Sequence, residues 1–214
     1  MSPHKLRVAI VDDHAIVRQG LRQILQDTED MVVAGEADCS ADAMKLVRSH
    51  PVDVMLLDIS LPDRHGIETL KLIKKEYAKL PILILSMHTE DQYAVRALRA
   101  GAAGYLTKAS APAQLVSAIR VVAGGKSYIS PTVAEELAKN VRQDSERPPH
   151  ELLSDREYQT LCLIASGKTV GDIAEELALS VKTVSVYRAR LLEKMGLKNN
   201  AELTHYAMKH LLVE

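Results

Sequence analysis

Tryptophan and phenylalanine are both absent from the 214 residues, so seven tyrosines are the whole aromatic complement and any core must be aliphatic. Cysteine is nearly absent too. Cys39 and Cys162 lie far apart and show no metal-ligand spacing, which excludes a disulfide framework or a zinc module and predicts two reduced, buried thiols. No apolar run approaches the roughly 20 residues that a membrane span needs. Met1-Ser2-Pro3-His4-Lys5 leads straight into a short strand pattern with no signal-peptide character, so the expected location is cytoplasmic, with no membrane partner. An excess of charge of one sign is also lacking: 27 Lys and Arg against 28 Asp and Glu give a net charge of −1, which by itself does not point to nucleic acid. The charge is nevertheless patterned. Over residues 182–198, Lys182, Arg188, Arg190, Lys194 and Lys198 face only Glu193, while Asp172, Glu175 and Glu176 cluster just upstream.

What is present falls into two halves. Up to about residue 125, short apolar runs at 6–11, 31–37, 52–57, 81–85 and 102–106 alternate with helical patterns at about 14–27, 41–49, 66–76, 90–100 and 111–123. Ser40 and Thr89 read as N-caps, and Gly101 and Gly124 as stops. Five such units predict a parallel sheet covered by helices on both faces. Residues 131–141 read as a further helix with Pro131 in its first turn. From Arg142 to His150 periodicity is lost, Pro148-Pro149 appears, and a linker is expected. Residues 151–214 show no strand pattern. They read as four short helices at 154–166, 170–178, 181–195 and 199–212, the first opened by the capping box Ser154–Glu157.

The chemistry of the first half lies at strand ends. The run 6–11 is followed by Asp12-Asp13, and the run 52–57 by Asp58. If these runs are neighbouring parallel strands, three carboxylates converge at one edge, which is costly unless a divalent cation or a proton neutralises them. Ser86 and Lys108 fall at strand ends as well, where open α/β sheets bind ligands. Taken singly, each has a plainer reading: Asp12-Asp13 as a helix cap, Ser86 as a turn hydroxyl, Lys108 as a solvated lysine. All five together, in this order, point to one site.

Residues 6–124 resemble a bacterial response-regulator receiver domain, through Val11-Asp12-Asp13-His14, Leu57-Asp58-Ile59-Ser60-Leu61-Pro62, Leu85-Ser86 and Gly101-Ala102-Ala103-Gly104-Tyr105-Leu106-Thr107-Lys108. The resemblance implies a flavodoxin-like five-stranded sheet in the order 2-1-3-4-5. It makes Asp58 the acceptor of a phosphoryl group from a sensor histidine kinase. It assigns one Mg2+ to Asp13, Asp58 and the Ser60 backbone carbonyl, with Asp12 acting largely through water. Lys108 would neutralise phosphoryl oxygens, and Ser86 and Tyr105 would form the coupled switch. Positioning and charge neutralisation suffice for such transfer, so the domain would be no enzyme in the ordinary sense, though it would assist its own phosphorylation and dephosphorylation. One departure is Ala109, where many receivers carry proline after the lysine.

In the second half, Thr169–Leu177 and Val181–Met195 joined by Ala178-Leu179-Ser180 read as helix-turn-helix. The pattern Ala174…Leu177…Leu179-Ser180-Val181-Lys182-Thr183-Val184, with Leu152-Leu153-Ser154-Asp155-Arg156-Glu157 upstream, resembles the LuxR-type DNA-binding domain over about 150–212. Together the halves resemble the NarL/FixJ class, and Tyr128-Ile129-Ser130-Pro131 and Tyr187-Arg188-Ala189-Arg190 are similar to GacA/UvrY-type regulators. Projected at about 100° per residue, Val184, Tyr187, Leu191 and Met195 share an inward face. Lys182, Ser185, Val186, Ala189 and Glu193 share the opposite one, with Arg188 between. Lys182, Ser185 and Val186 are then candidates for base edges, with small residues at Ser185 and Ala189 allowing close approach to a major groove. Thr183, Arg190 and Lys194 are candidates for phosphates. Leu203, Tyr206, Ala207, His210 and Leu211 in the last helix exceed what a three-helix core needs. The resemblance makes that helix a dimerisation element, so the expected partners include inverted DNA half-sites and a second copy of the chain.

The expected organisation is therefore a receiver over 5–124, a connecting helix and linker over 125–149 and a DNA-binding domain over 150–214, with phosphorylation releasing and dimerising the last. One rival is an aspartyl-phosphate hydrolase, which would want an Asp-x-Asp motif and a substrate-covering domain; Asp12-Asp13 is adjacent instead. The other is a helix-turn-helix that binds another regulator, which salt-sensitive binding to a specific duplex separates from the main reading.

Overall fold

The computed structural model describes residues 5–87, 91–110, 112–130, 133–134 and 148–213. The chain divides into two compact units, Met1–Glu136 and Leu137–Glu214.

In the first unit strand and helix alternate: β1 (Leu6–Val11), α1 (Ala15–Gln26), β2 (Met31–Ala37), α2 (Ser40–Ser49), β3 (Val54–Asp58), α3 (Gly66–Glu76), β4 (Ile82–Ser86), α4 (Asp91–Arg99), β5 (Gly104–Thr107) and α5 (Pro112–Ala123). The strands form one parallel sheet in the order β2-β1-β3-β4-β5, as the resemblance implied. β3 and β4 are buried at every position, which their unbroken apolar runs require of central parallel strands. Val8, Ile10, Leu25, Leu56, Leu83 and Ile119 belong to a mainly aliphatic core cluster against which Tyr128 packs, and Tyr93, Tyr105 and Tyr158 are buried as well, so the cores are not purely aliphatic as expected. The order reverses at β1, whose neighbours β2 and β3 lie on opposite sides. Val11 registers with Leu57, so Asp12 and Asp58 emerge side by side at the switch point.

Several boundaries differ from the sequence reading. β3 starts at Val54 rather than 52, because the Asp53 carboxylate accepts from the Arg7 amide at 2.8 Å and pairs with its guanidinium just below the ladder. β4 runs through Ser86, which registers with Thr107. β5 starts at Gly104, where a Cβ would lie 2.7 Å from the Tyr128 carbonyl oxygen, so only glycine fits. Ser40 does not cap α2. It is the first helical residue, and the orphan amides of Ser40 and Ala41 donate instead to the Asp63 carboxylate, 2.8 and 3.0 Å away. Cys39 occupies the cap position and is only partly buried, whereas Cys162 is buried as expected. The Thr89 cap lies outside the described residues, as does the 131–141 helix apart from Val133 and Ala134.

The second unit opens with a 3-10 turn, Pro149–Leu152, followed by α6 (Asp155–Ala165), α7 (Val170–Glu176), α8 (Val181–Met195) and α9 (Asn200–Lys209). α6 packs against the other three helices. Leu161, Ile173, Val184, Leu191, Leu203 and Ala207 are fully buried. The Ser154–Glu157 capping box is present, and Thr169–Asp172 forms a second one at α7. The α7–α8 turn places Ala178 at φ 51, Ser180 caps α8, and Gly196 closes it in the left-handed region at φ 66. α9 ends before the expected 212, because Leu211 turns to φ 53. Among the described residues no helix is long and apolar enough to cross a membrane.

Candidate functional site

The carboxyl edge of the sheet gathers the predicted residues. Asp12 and Asp58 are almost completely buried, and Asp13 stands at the rim. Each offers a carboxylate oxygen, and His14 a ring nitrogen, within 4.8 Å of one another. The Asp12 carboxylate accepts from the His14 amide at 2.9 Å, but His14 is the N-cap of α1 and no side chain caps that helix, so Asp12-Asp13 is not the helix cap of the plain reading. His14 Nδ1 lies 2.6 Å from Asp13 Oδ1. The sequence reading quoted His14 in a motif but assigned it nothing.

Lys108 reaches this edge because its amide donates to the Ser86 carbonyl, extending the ladder past β5. Its ammonium lies 2.7 Å from Asp12 Oδ2 and 2.9 Å from Asp58 Oδ2. Neither oxygen receives a well-directed hydrogen bond, so these contacts are ionic attractions between buried groups. Burial pushes the Asp58 carboxyl above its ordinary range, and Asp12 adds to that push against the downward pull of Lys108 and the Ser60 amide. Burial works against the Lys108 ammonium, but Asp58 and Asp12 outweigh it and hold its pKa above the ordinary value. One lysine thus faces two buried carboxylates and a third at the rim. The cluster is short of positive charge, and its donors are hard oxygens of the kind Mg2+ selects. Ser86 is fully buried at the end of β4, and Tyr105 is buried on β5. The Lys108–Ala109 peptide is trans.

Gly66 packs on the backbone of Asp58: a Cβ there would stand 2.2 Å from the Asp58 carbonyl oxygen. The loop between β3 and α3 is thereby folded tightly over the acidic edge, with Asp63 tied to α2 and His65 capping α3 by accepting from the Ile67 amide at 3.3 Å. Sequence reasoning missed Asp63, because nothing in local spacing links it to a helix that ends before β3 begins.

On α8, Val184, Leu191 and Met195 are buried as expected, while Tyr187 is only half-buried. Lys182, Ser185, Val186, Ala189, Arg190 and Glu193 are exposed on the opposite side. The Ser185 hydroxyl donates to the Val181 carbonyl at 2.8 Å and keeps its acceptor capacity. Three assignments change. Thr183 is engaged at the helix N-terminus, its amide and hydroxyl both meeting Ser180 Oγ. Lys194 lies 2.6 Å from Glu157, whose side chain is 3% exposed, so its charge is already matched within the unit. Arg188, which projection left unassigned, donates to Asn200 Oδ1 at 2.6 Å and ties α8 to the start of α9.

The dimerisation set also needs correction. Leu203 and Ala207 are fully buried in the unit and present no surface. The Tyr206 hydroxyl is 2.8 Å from His150 Nδ1, and its ring stacks on His210. The exposed apolar side chains at this end are Met208 and Leu211, 58% and 85% accessible. A surplus of apolar positions does not say which of them the domain itself covers.

Comparison with known proteins agrees with both halves. The family described as response regulator receiver domain matches residues 8–120, and that of bacterial regulatory proteins, luxR family, matches 151–207. The chain is 41% identical over 206 residues to Response regulator UvrY of Escherichia coli K12, covering 96% of this chain and 94% of that protein. It is 37% identical over 210 residues to Response regulator GacA of Pseudomonas aeruginosa PAO1, covering 98% of each. It is also similar to RcsB from Salmonella enterica serovar Typhimurium, solved bound to a promoter in the presence of the phosphomimetic BeF3−. That match has 29% identity and a TM-score of 0.64, covering 95% of this chain and 98% of the other.

Proposed function

The chain belongs to the response regulators that join a receiver domain to a LuxR-type DNA-binding domain, a family of phosphorylation-activated transcription regulators, and on that premise we propose that Asp58 accepts the phosphoryl group. The observation that carries this assignment is the Asp12–Asp58–Lys108 cluster: a buried carboxylate at the switch point with a lysine ammonium 2.9 Å away. The Asp58 oxygen forms a bond to the phosphorus of a phosphohistidine on a partner kinase, the P–N bond breaks, and the leaving imidazole nitrogen takes a proton from solvent. Lys108 meets the charge that develops on the phosphoryl oxygens. Asp12, Asp13, Asp58 and the Ser60 carbonyl would hold Mg2+, which would supply the remaining positive charge. Ile16 and Met87, 85% and 73% accessible, sit beside this edge and offer apolar surface to the donor protein.

The new phosphoryl oxygens take a hydrogen bond from Ser86, and Tyr105 on the adjoining strand responds to its movement. The output is sequence-specific DNA binding by α8. Lys182, Ser185, Val186 and Ala189 face the bases and Arg190 a phosphate, while Thr183 and Lys194 shape the helix that does so. Met208 and Leu211 are the apolar surface through which active units pair on inverted half-sites. The unit bounds proposed are 5–124, 125–149 and 150–214. The acceptor is tested by incubating the chain with a small acyl phosphate and Mg2+: one phosphoryl group is expected in the wild type and none in Asp58→Asn or with chelator. Equal product in Asp58→Asn refutes the assignment.

A further inference from the structure

His65 is a buried imidazole that neither phosphoryl transfer nor cation binding employs. It is 1% exposed, and its Nδ1 is committed to the Ile67 amide as the N-cap of α3. Its ring lies against Tyr93, centroids 6.2 Å apart and planes at 24°, and Tyr93 is 2% exposed on α4. Two elements are thus fastened at one point. His65 ends the loop that begins at Asp58, and its neighbour Gly66 abuts the Asp58 carbonyl with no room for a Cβ. Tyr93 belongs to the helix that follows Ser86 in the chain and packs on β5, the strand of Tyr105.

We propose that the His65–Tyr93 stack is a positioning contact that transmits the state of Asp58 to α4, a route separate from the Ser86 hydroxyl. Packed interiors do not deform continuously, so a shift in the backbone of the acceptor loop moves the His65 ring. A flat ring buried against it passes that movement on or loses its contact. The cap fixes the imidazole from the α3 side, so displacement of the loop cannot be absorbed by a rotamer change without breaking the bond to Ile67. The role of His65 is to orient a helix; it touches no reacting atom.

The inference rests on Asp58 being the acceptor, and the test separates the two. Full-length protein is treated with Mg2+ and beryllofluoride. Bound fluoride is read by 19F NMR, and hydrogen exchange is followed in peptides covering Asp91–Arg99. In the wild type the exchange of α4 changes on beryllofluoride binding. His65→Asn keeps a capping acceptor but removes the ring, and Tyr93→Leu removes the ring on the other side. Both are expected to bind beryllofluoride and to lose at least half of the α4 response, and Tyr93→Phe to retain it. The double variant is expected to lose no more than either single one. A full α4 response in His65→Asn with beryllofluoride bound overturns the proposal, as does a wild type whose α4 does not respond. Failure of the wild type to bind beryllofluoride overturns the acceptor assignment instead.

Discussion

Lys194 Nζ lies 2.6 Å from the carboxylate of Glu157, which also accepts from the Ser154 amide at 2.8 Å as the closing half of a capping box. One buried acid therefore fixes the start of α6 and the end of the recognition helix together. Burial pushes the Glu157 carboxyl up, but Lys194 and the Ser154 amide and hydroxyl outweigh this and hold it below its usual 4.5. A depressed carboxyl stabilises the fold above its ordinary pKa, and that contribution fades as pH falls through the lower folded value. Lys194→Met should cost about 1 kcal/mol or more by leaving the acid unpaired, with the half-exposed lysine setting the low end of the range. In chemical denaturation at pH 7 and pH 4, the gap between wild type and variant should narrow at the lower pH. A gap that does not change with pH would show that the loss does not come from the charge pair.

Arg190 is exposed and makes no such bond among the described residues, so its truncation should act on DNA binding. Arg190→Ala should weaken binding to all duplexes and reduce the slope of log K against log salt by about 0.9. Unchanged salt dependence would remove Arg190 from the phosphate contacts.

Lys182→Ala and Val186→Ala should instead alter which sequence is preferred, each lost base contact costing roughly 1–3 kcal/mol of discrimination. Competition between the selected duplex and single-base variants measures this. A uniform loss across all variants would reassign both residues to the backbone.

The acidic edge makes a prediction about stability. Asp58 has a raised carboxyl pKa, chiefly from burial, so its ionised form penalises the fold above that pKa, and the penalty is relieved as pH falls through it. Asp58→Asn should therefore raise Tm at pH 7 without divalent cations, and by less near pH 4. Added Mg2+ should raise the Tm of the wild type and leave that of the variant nearly unchanged. The reverse pattern would count against both the buried repulsion and the cation site.

Met208→Glu or Leu211→Glu should abolish self-association of the active protein without loss of helicity. Leu203→Ala should instead destabilise the second unit by about 2–5 kcal/mol, because it opens a cavity. Sedimentation and thermal melts on the same samples distinguish the two. Dimers surviving in both surface variants would place the contact elsewhere.

These outcomes trace what the sequence could show. Unbroken apolar runs at 54–57 and 82–85 disclose central strands, and carboxylates, a hydroxyl and a lysine at the ends of such runs disclose the acidic edge, because strand ends are fixed by polarity in the chain itself. The period of α8 separated its buried side from its exposed side, with Tyr187 between them. What escaped depends on pairs far apart in sequence. Asp63 caps α2 across 22 and 23 residues, and Glu157 holds Lys194 across 37. An isolated helix pattern also cannot tell that Leu203 and Ala207 are spent within the domain while Met208 and Leu211 are not.

The central claim, that phosphorylation of Asp58 controls DNA binding, is tested by the affinity of full-length protein for a duplex selected with the phosphorylated form, at one fixed salt concentration. Treatment with an acyl phosphate and Mg2+ should tighten wild-type binding by roughly tenfold or more, a coupling of about 1.4 kcal/mol, and leave Asp58→Asn at the untreated value. Equal affinity of treated and untreated wild type, with phosphorylation verified by mass, would contradict the account.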